Sequence, residues 1–303
     1  MSVSPSGAVD AAGRAFGRHP GFRALHAKGI LCAGTFAATP EAKALTTAAH
    51  LQGEPVPVTA RFSNGSGDPR SPDFAPDLRG LAVKFYLPDG SRTDLVSVST
   101  PLFVTRTPEV FGELLEAQGA GPAAALKLPL LLARYPWLAP GLARGLGFLR
   151  PATSFAALRY WAQHAYKWIE GEGRERFVRY TLVPSGGEEP YLGLRTARSR
   201  GRDYLQEELR SRLAEGAVRF TLEVQIAEPV DPVNDASRAW PEGRQRVKVG
   251  DLVLSGLDEE REQGGDVLVF DPTRVTPGVE LSDDPVLRFR SPAYRESVTR
   301  RTA

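Results

Sequence analysis

The stretch "RGLAVKFYLPDGSRTDLVSVSTPLFV", residues 79–104, has two runs of alternating apolar and polar residues on either side of Pro88, Asp89 and Gly90. Alternation with a period of two is typical of a β-strand that buries one face. Proline, aspartate and glycine in succession favour a tight turn. This stretch therefore predicts a β-hairpin.

Segments on both sides of the hairpin extend this pattern. Upstream, "EPVPVTARFSNGSG" (54–67) alternates and then ends in turn-forming residues. Four downstream runs also have strand character: "RFVRYTLVPSG" (176–186), "VRFTLEVQIAE" (218–228), "VKVGDLVLSG" (247–256) and "DVLVFDP" (266–272). Residues 201–216 predict a helix, and residues 8–29 predict a helix interrupted at His19 and Pro20. The sequence thus predicts an α+β fold, an antiparallel barrel or sandwich with added helices.

Composition narrows the class of protein. The chain has 303 residues, of which 42% are hydrophobic and 24% charged, as in a globular protein with a sizeable core. With no repeat or low-complexity tract, a single domain over 1–303 is the simplest description. The net charge of +2 lacks the basic footprint of a nucleic-acid binder. A single cysteine, Cys32, excludes an intramolecular disulfide, and with no apolar signal-peptide run we expect a cytoplasmic protein.

Residues 117–169 differ from the rest because they contain no Asp or Glu. Six basic residues lie there among leucines, alanines and aromatics: Lys127, Arg134, Arg144, Arg150, Arg159 and Lys167. We expect a basic, apolar helical insertion, broken by prolines into runs too short to span a membrane. Two interpretations are open. The segment binds lipid headgroups or the carboxylate of an acyl substrate, or it packs on the barrel or on another subunit. Packing is the favoured interpretation, because apolar helix faces usually pack.

Five blocks of the sequence resemble, in order, the core of the haem catalase family. "FRALHAKG" (22–29) is similar to the family's R-x-x-H-A-K-G, and residues 60–86 to its V-R-F-S and D-x-R-G-F-A-V-K-F-Y blocks. "DLVSVSTPLFVTRTP" (94–108) is similar to D-L-V-G-N-N-T-P. Residues 235–256 and 267–297 resemble its V-G-x-L-V-L and F-D-P segments, the latter ending in R-x-x-x-Y. The resemblance covers nearly the whole chain and is to the small catalase-related peroxidases.

This resemblance implies a catalase-like antiparallel eight-stranded β-barrel with helices around it and haem b as cofactor. An N-terminal arm, 1–30, would carry a distal histidine, and a helix over 282–301 would carry the haem ligand. That ligand would be Tyr294, bound to iron as phenolate, a recognised form of haem ligation. Arg290, four residues earlier, would lie beside it on one helix face, although Pro292 between them predicts a kink.

The resemblance also implies which residues surround the haem. Arg23, Arg61 and Arg301 would pair with its propionates, for which the planar guanidinium is well suited. Phe103 and Phe111 would wall the distal pocket.

The distal acid–base group implied by the resemblance is His26. It would take a proton from one oxygen of a hydroperoxide and return it to the other, leaving a ferryl intermediate. Ser63 would hydrogen-bond the histidine ring and fix its tautomer, while Leu25 would fill the apolar slot beside it.

One position departs from the family pattern. Ser97, Val98 and Ser99 stand where the family has G-N-N, so the distal asparagine position is occupied by Val98. Valine forms no hydrogen bond to peroxide, and strand alternation turns the two serines to the opposite side. We therefore expect weakened catalase activity and a pocket that favours organic hydroperoxides or organic reductants.

The predicted function is a haem-dependent peroxidase that reduces hydrogen peroxide or organic hydroperoxides with a small organic reductant. A first alternative is fatty acid hydroperoxide rearrangement, as in allene oxide synthases, which residues 117–169 favour. Against it, Leu25 stands where the coral-type enzymes have threonine. A second alternative is a non-catalytic haem-binding protein, which only Val98 favours. We expect a homo-oligomer, with a dimer suggested by the short arm, and no nucleic-acid partner.

Overall fold

The computed structural model describes residues 3–189, 191–258 and 267–302. The strands in these ranges are β1 Gly29–Ala38, β2 Val56–Asn64, β3 Arg79–Tyr86, β4 Arg92–Val98, β5 Tyr160–Trp161, β6 Tyr166–Ile169, β7 Glu175–Pro184, β8 Val218–Ile226, β9 Arg246–Leu257 and β10 Val279–Leu281. The α-helices are α1 Pro5–Phe16, α2 Pro40–Lys43, α3 Pro108–Gln118, α4 Ala124–Arg134, α5 Leu138–Leu146, α6 Leu194–Ser199, α7 Tyr204–Glu215 and α8 Pro285–Thr302. Short 3-10 turns cover Ala49–Leu51, Gly121–Ala123 and Phe155–Ala157.

Eight of the strands close into an antiparallel barrel. Their order is β7-β5-β4-β3-β2-β1-β9-β8, and β8 pairs back onto β7 to complete the circle. Strands β6 and β10 continue from β7 as a short ribbon at the side. The predicted eight-stranded barrel with surrounding helices is confirmed.

Side chains fill the inside of the barrel. Phe62 of β2 packs with its ring centre 5.3 Å from that of Phe155 and 6.1 Å from that of Phe220 on β8. A barrel of eight strands is just wide enough for such a filling. Because alternate residues of a strand face opposite sides, Arg61 and Ser63 lie on the outer face of the barrel. The outer face is therefore where a large ligand can bind.

Local elements follow the turn chemistry of the sequence. The 88–90 turn is present, with the Gly90 amide donating to the Leu87 carbonyl at 3.0 Å and Gly90 at φ +82°. The helix predicted within 201–216 is α7. Within the described part of the chain, no helix combines the length and the apolar character that crossing a bilayer requires.

The helix predicted over 8–29 was wrong beyond residue 16. Helix α1 ends at Phe16 because Gly17, at φ +87°, caps it with a bond to the Gly13 carbonyl. Pro20 lies in a turn, and β1, which no sequence pattern indicated, begins at Gly29. His26 therefore belongs to an irregular arm and not to a helix.

Two further expectations need correction. Of the strand predicted over 266–272, residue 266 lies outside the described residues and 267–272 form no strand, because their backbone groups bond to side chains: Arg23 donates to the Leu268 carbonyl and the Asp271 amide to the Asp94 carboxylate. In the segment 117–169, helices extend only to Leu146, and the last ten residues contribute β5 and β6 to the sheet. The insertion is thus helical only in its first part.

Candidate active site

A row of residues crosses five strands on the outer face of the barrel. Gly29, Ser63, Gly80, Val98 and Trp161 lie directly opposite one another from β1 to β5. Residues opposed across antiparallel strands share a face of the sheet. Two glycines and a valine in this row leave a shallow trough above the strands.

The glycine at position 80 makes room for the histidine. A β-carbon there would lie 2.7 Å from Ser63 Oγ and 2.9 Å from His26 Nδ1, closer than real contacts allow. Gly29 has the same role for Arg61, since a β-carbon would lie 2.5 Å from its guanidinium carbon. His26 and Arg61 therefore sit against the barrel only because the strands beside them carry glycine at these positions.

His26 is held by its backbone and by its ring. Its amide donates to the Gly65 carbonyl at 3.0 Å, and its carbonyl accepts from Arg61 Nη1 at 2.9 Å. These bonds fix the backbone at φ +56°, a left-handed conformation found at no other non-glycine residue in the described ranges. Ring Nδ1 lies 3.0 Å from Ser63 Oγ. This leaves Nε2 as the ring nitrogen available to a ligand.

The charges around His26 keep its imidazole neutral. Burial lowers its pKa to about 3, and the positive charges of Arg61, Arg290 and Arg23 act in the same direction. A neutral imidazole has a free lone pair at pH 7. The guanidiniums that converge here also create a positive field suited to carboxylates.

Helix α8 brings Arg290 and Tyr294 together. Arg290 Nε and Nη2 donate to the Tyr294 hydroxyl at 3.0 and 2.5 Å, so Pro292 does not separate them as a kink would. Burial lowers the pKa of Arg290, but the adjacent Tyr294 outweighs this and raises it overall. The phenol oxygen thus has a fixed cation beside it.

Asp284 sets where α8 begins and also binds a histidine, His164, that sequence reasoning missed. Its Oδ1 accepts from the Val286 and Leu287 amides at 2.8 and 3.3 Å, the bonds of a helix N-cap. Its Oδ2 lies 2.8 Å from Nδ1 of His164, and both side chains are buried. Burial lowers the pKa of His164. The hydrogen bond to Asp284 acts in the opposite direction, and the positive charge of Arg290 lowers the pKa further.

Only half of this pair has a signal in the sequence. An Asp immediately before Pro285 is an N-cap signature, so Asp284 could have been found. His164 lies between two short strands and 120 residues from its partner, with no motif around it. Its Nε2 is buried and has no hydrogen-bond partner among the described residues.

Two phenylalanines connect the arm with this pair. The ring centres of Phe103 and Phe111 are 5.2 Å apart, and Phe103 lies 5.9 Å from His164. Phe111 packs in the same apolar cluster as Leu25, next to His26. These aromatic rings therefore form one wall between the arm and α8.

The apolar part of the barrel face lies beside Val98. Leu31, Ala82 and Val96 pack there with Leu268 and Phe270. The flanking serines are engaged elsewhere: Ser97 Oγ donates to the Leu81 carbonyl at 2.6 Å, and Ser99 Oγ accepts from the Arg79 amide at 2.9 Å. Neither serine replaces a hydrogen-bonding group at position 98.

The residues gathered here fit a haem. A tyrosine oxygen with an adjacent guanidinium is a suitable ligand for ferric iron, and a neutral imidazole is available as a base. The glycines make room for His26 and Arg61 themselves, while the apolar barrel face suits a flat, largely apolar group, and Arg23 and Arg61 suit its carboxylates. Arg301 lies on α8 as well, two turns after Tyr294.

A closed antiparallel barrel with an imidazole and a tyrosine–arginine pair outside it is the arrangement expected of a haem-binding barrel protein. The family model described as Catalase matches residues 18–303, and the chain therefore belongs to the catalase family. The "Catalase-related peroxidase" of Mycolicibacterium paratuberculosis is 49% identical over 99% of this chain and 95% of the relative. That of Synechococcus elongatus is 32% identical over 99% and 89%.

Solved structures agree with the fold. A fungal catalase is 26% identical with a TM-score of 0.82, and covers 94% of this chain. Catalase A from Saccharomyces cerevisiae, 24% identical with a TM-score of 0.81, shares the fold over 92% of it. The chain spans about 60% of the length of these catalases.

Proposed function

We propose that this chain is a haem-dependent peroxidase that reduces hydrogen peroxide or organic hydroperoxides with a small organic reductant and has weak catalase activity. The observation that carries the proposal is the His26–Ser63 pair, held on a left-handed backbone residue with a neutral ring. Relatives named catalase-related peroxidase, matched over nearly their full length, support a peroxide-acting oxidoreductase.

Haem b is the group that the site would hold. Tyr294 would bind its iron, with Arg290 stabilising the phenolate. Arg23, Arg61 and Arg301 would bind the propionates, and Phe103 and Phe111 would wall the side where peroxide enters. When bound, haem iron supplies the electrons that cleavage of the O–O bond requires.

His26 would move the proton. With Nδ1 held by Ser63, the Nε2 lone pair accepts a proton from one peroxide oxygen and returns it to the other, which leaves as water or an alcohol. The lowered pKa of His26 keeps Nε2 unprotonated above pH about 3. The positive charges of Arg61, Arg290 and Arg23 disfavour the imidazolium, so the proton is released readily.

Val98 would decide between oxidation of a donor and disproportionation of hydrogen peroxide. Disproportionation requires a second hydrogen peroxide to be held beside His26, and position 98 offers it no hydrogen bond. The neighbouring face formed by Leu31, Ala82 and Val96 is apolar, which favours the organic part of a larger hydroperoxide or reductant.

The test compares His26→Gln with His19→Gln, a matched change at a histidine of the same arm outside the site. We expect haem-loaded His26→Gln to retain its haem and to oxidise a phenolic donor with cumene hydroperoxide about 10³-fold more slowly than the native chain. His19→Gln should react at the native rate. Undiminished donor oxidation in His26→Gln contradicts the proposal, and loss of a fatty acid hydroperoxide without any donor indicates rearrangement instead.

A further inference from the structure

Only one side of helices α4 and α5 packs against the rest of the described chain. Leu131 of α4 and Leu138 of α5 are buried in an apolar cluster with Val110 and Leu114 of α3. This side matches the packing interpretation of residues 117–169. The opposite side of both helices carries no other part of the described chain.

The uncovered side is apolar. Leu126 is 66% exposed and Leu130 is 60% exposed, and the helical period places both on one face with Ala133. On α5, Leu146 is 67% exposed and shares a face with the exposed Ala139. Single exposed leucines are normal on a protein surface, but a group of them on two successive helices marks a docking surface.

Basic side chains border this apolar face. Lys127 and Arg134 are seven residues apart and follow one line along α4, and the exposed Arg144 lies on α5. Within the described part of the chain, neither Lys127 nor Arg144 forms an ion pair. Arg134 lies 3.3 Å from Glu113, which belongs to α3 beneath the helices. No acidic residue occurs anywhere in 117–169.

We propose that this α4–α5 face docks on an anionic lipid surface. Its leucines would enter the boundary between headgroups and acyl chains while Lys127 and Arg144 meet lipid phosphates, the mode of a basic amphipathic helix. The proposal does not depend on the proposed peroxidase activity.

The charges decide against a second copy of the chain as the occupant. A two-fold contact centred on this face would place the face against its own copy. Without an acidic residue in the segment, such a contact would bring Lys127 and Arg144 against the same basic groups of the other copy. An anionic lipid surface instead neutralises these charges.

Flotation of the haem-loaded protein with lipid vesicles tests the proposal. Vesicles of phosphatidylcholine are compared with vesicles containing about one-third phosphatidylglycerol, at low and at high salt. We expect the anionic vesicles to bind at low salt about tenfold or more strongly than the neutral ones, and salt to remove the difference. Equal binding to both vesicles, or no binding to either, overturns the proposal.

Variants locate the surface. Leu126→Ser/Leu130→Ser removes the apolar stripe and Lys127→Glu/Arg144→Glu reverses the charge, and we expect both to abolish vesicle binding. Matched changes elsewhere should bind as the native chain does: Val230→Ser, at an 82% exposed residue, and Lys43→Glu on α2. Unchanged thermal unfolding separates lost docking from misfolding. If the leucine variant instead dissociates an oligomer of the chain and leaves vesicle binding intact, the face is a subunit contact and the proposal is wrong.

Discussion

His26 combines a strained backbone with the ring that is best placed for proton transfer. A left-handed conformation costs a non-glycine residue about 1–2 kcal/mol, because the β-carbon approaches the carbonyl oxygen. Here the bonds to Gly65 and from Arg61 hold the backbone in place. Such strain persists only where the surroundings enforce it, and it is concentrated at functional sites. The strained backbone of residue 26 therefore lowers the stability of the fold, and it positions ring Nδ1 of His26 beside Ser63.

Replacing His26 by glycine and by alanine separates this strain from function. Both variants lack the base and should be inactive. Glycine adopts a positive φ without the steric cost that alanine has, although it loses more entropy on folding. The steric effect is the larger, so His26→Gly should be more stable than His26→Ala by about 0.5–1 kcal/mol in urea unfolding. Ala27→Gly, at a neighbour with an ordinary φ, should be destabilising. An alanine variant as stable as the glycine variant contradicts the strain assigned to residue 26.

Sequence reasoning identified residues at this scale when they belonged to a local motif. His26 with Arg23, and Arg290 with Tyr294, each occur within a few positions of one another. His164 escaped it because its contact with Asp284 joins a loop between strands to the start of the last helix. No local pattern reports such a contact, so the buried pair beside the aromatic wall was visible only in the fold.

At the level of elements, the close approach of the arm to β3 depends on a missing side chain. The trough exists because β1 and β3 carry glycine opposite Ser63. Neither glycine is needed for its conformation, since both lie in regular strands without a positive φ. Both glycines are required because a β-carbon would occupy the space of neighbouring side chains.

Gly80→Ala tests this room directly. The new β-carbon would displace Ser63 Oγ and His26 Nδ1, so we expect a loss of about 1–3 kcal/mol in the free energy of unfolding. Peroxide turnover should fall because the ring moves. Gly256→Ala on β9 is the matched control, as a β-carbon there would meet no atom of the described residues within 4 Å beyond its chain neighbours. A Gly80→Ala variant with native stability and turnover shows that the arm does not press on β3.

Strand and helix prediction succeeded where periodicity was strong and failed where it was not. The 88–90 hairpin and α7 were predicted correctly from their turn residues and length. Strand β1, "GILCAGTFAA", alternates poorly, and β5 has only two residues. Residues 267–272 have the composition of a strand, yet their backbone partners are a side chain of the arm and Asp94, which no sequence pattern specifies.

For the molecule as a whole, buried neutral histidines set its response to acid. Burial lowers the pKa of His50 to about 4, and those of His26 and His164 are lowered as well. The ordinary pKa of histidine is 6.5. Between these values the unfolded chain binds protons that the folded chain does not. The free energy of unfolding therefore falls as the pH falls through this range.

The variant His50→Phe removes one of these protonation sites. His50 lies inside the barrel beside Phe85, its Nδ1 has no partner in the described residues, and a cavity of about 20 Å³ adjoins it. We expect the variant to lose less stability than the native chain between pH 7.5 and 5, by about 1 kcal/mol or more. Urea unfolding at both pH values measures this. Parallel pH profiles for the two proteins would mean that His50 does not remain neutral in the fold.

The architecture as a whole was predictable from resemblance more than from periodicity. Alternating strands indicated a barrel or a sandwich, and only the family blocks indicated eight strands in a closed circle. Closure depends on the short β5 and on the β7–β8 pairing, which joins segments about forty residues apart. The uncovered side of α4 was likewise hidden, because an apolar helix sequence does not tell which of its faces is packed.

In the proposed reaction, this chain uses peroxide mainly to oxidise a donor. An oxygen electrode and donor absorbance, followed together in the haem-loaded protein with hydrogen peroxide, test it most directly. We expect peroxide consumption that depends on the donor, with little oxygen released, and in Val98→Asn a rise in oxygen release of about tenfold that Val96→Asn does not share. Rapid oxygen release from the native chain without donor, equal to half the peroxide consumed, would show instead that the chain is mainly a catalase.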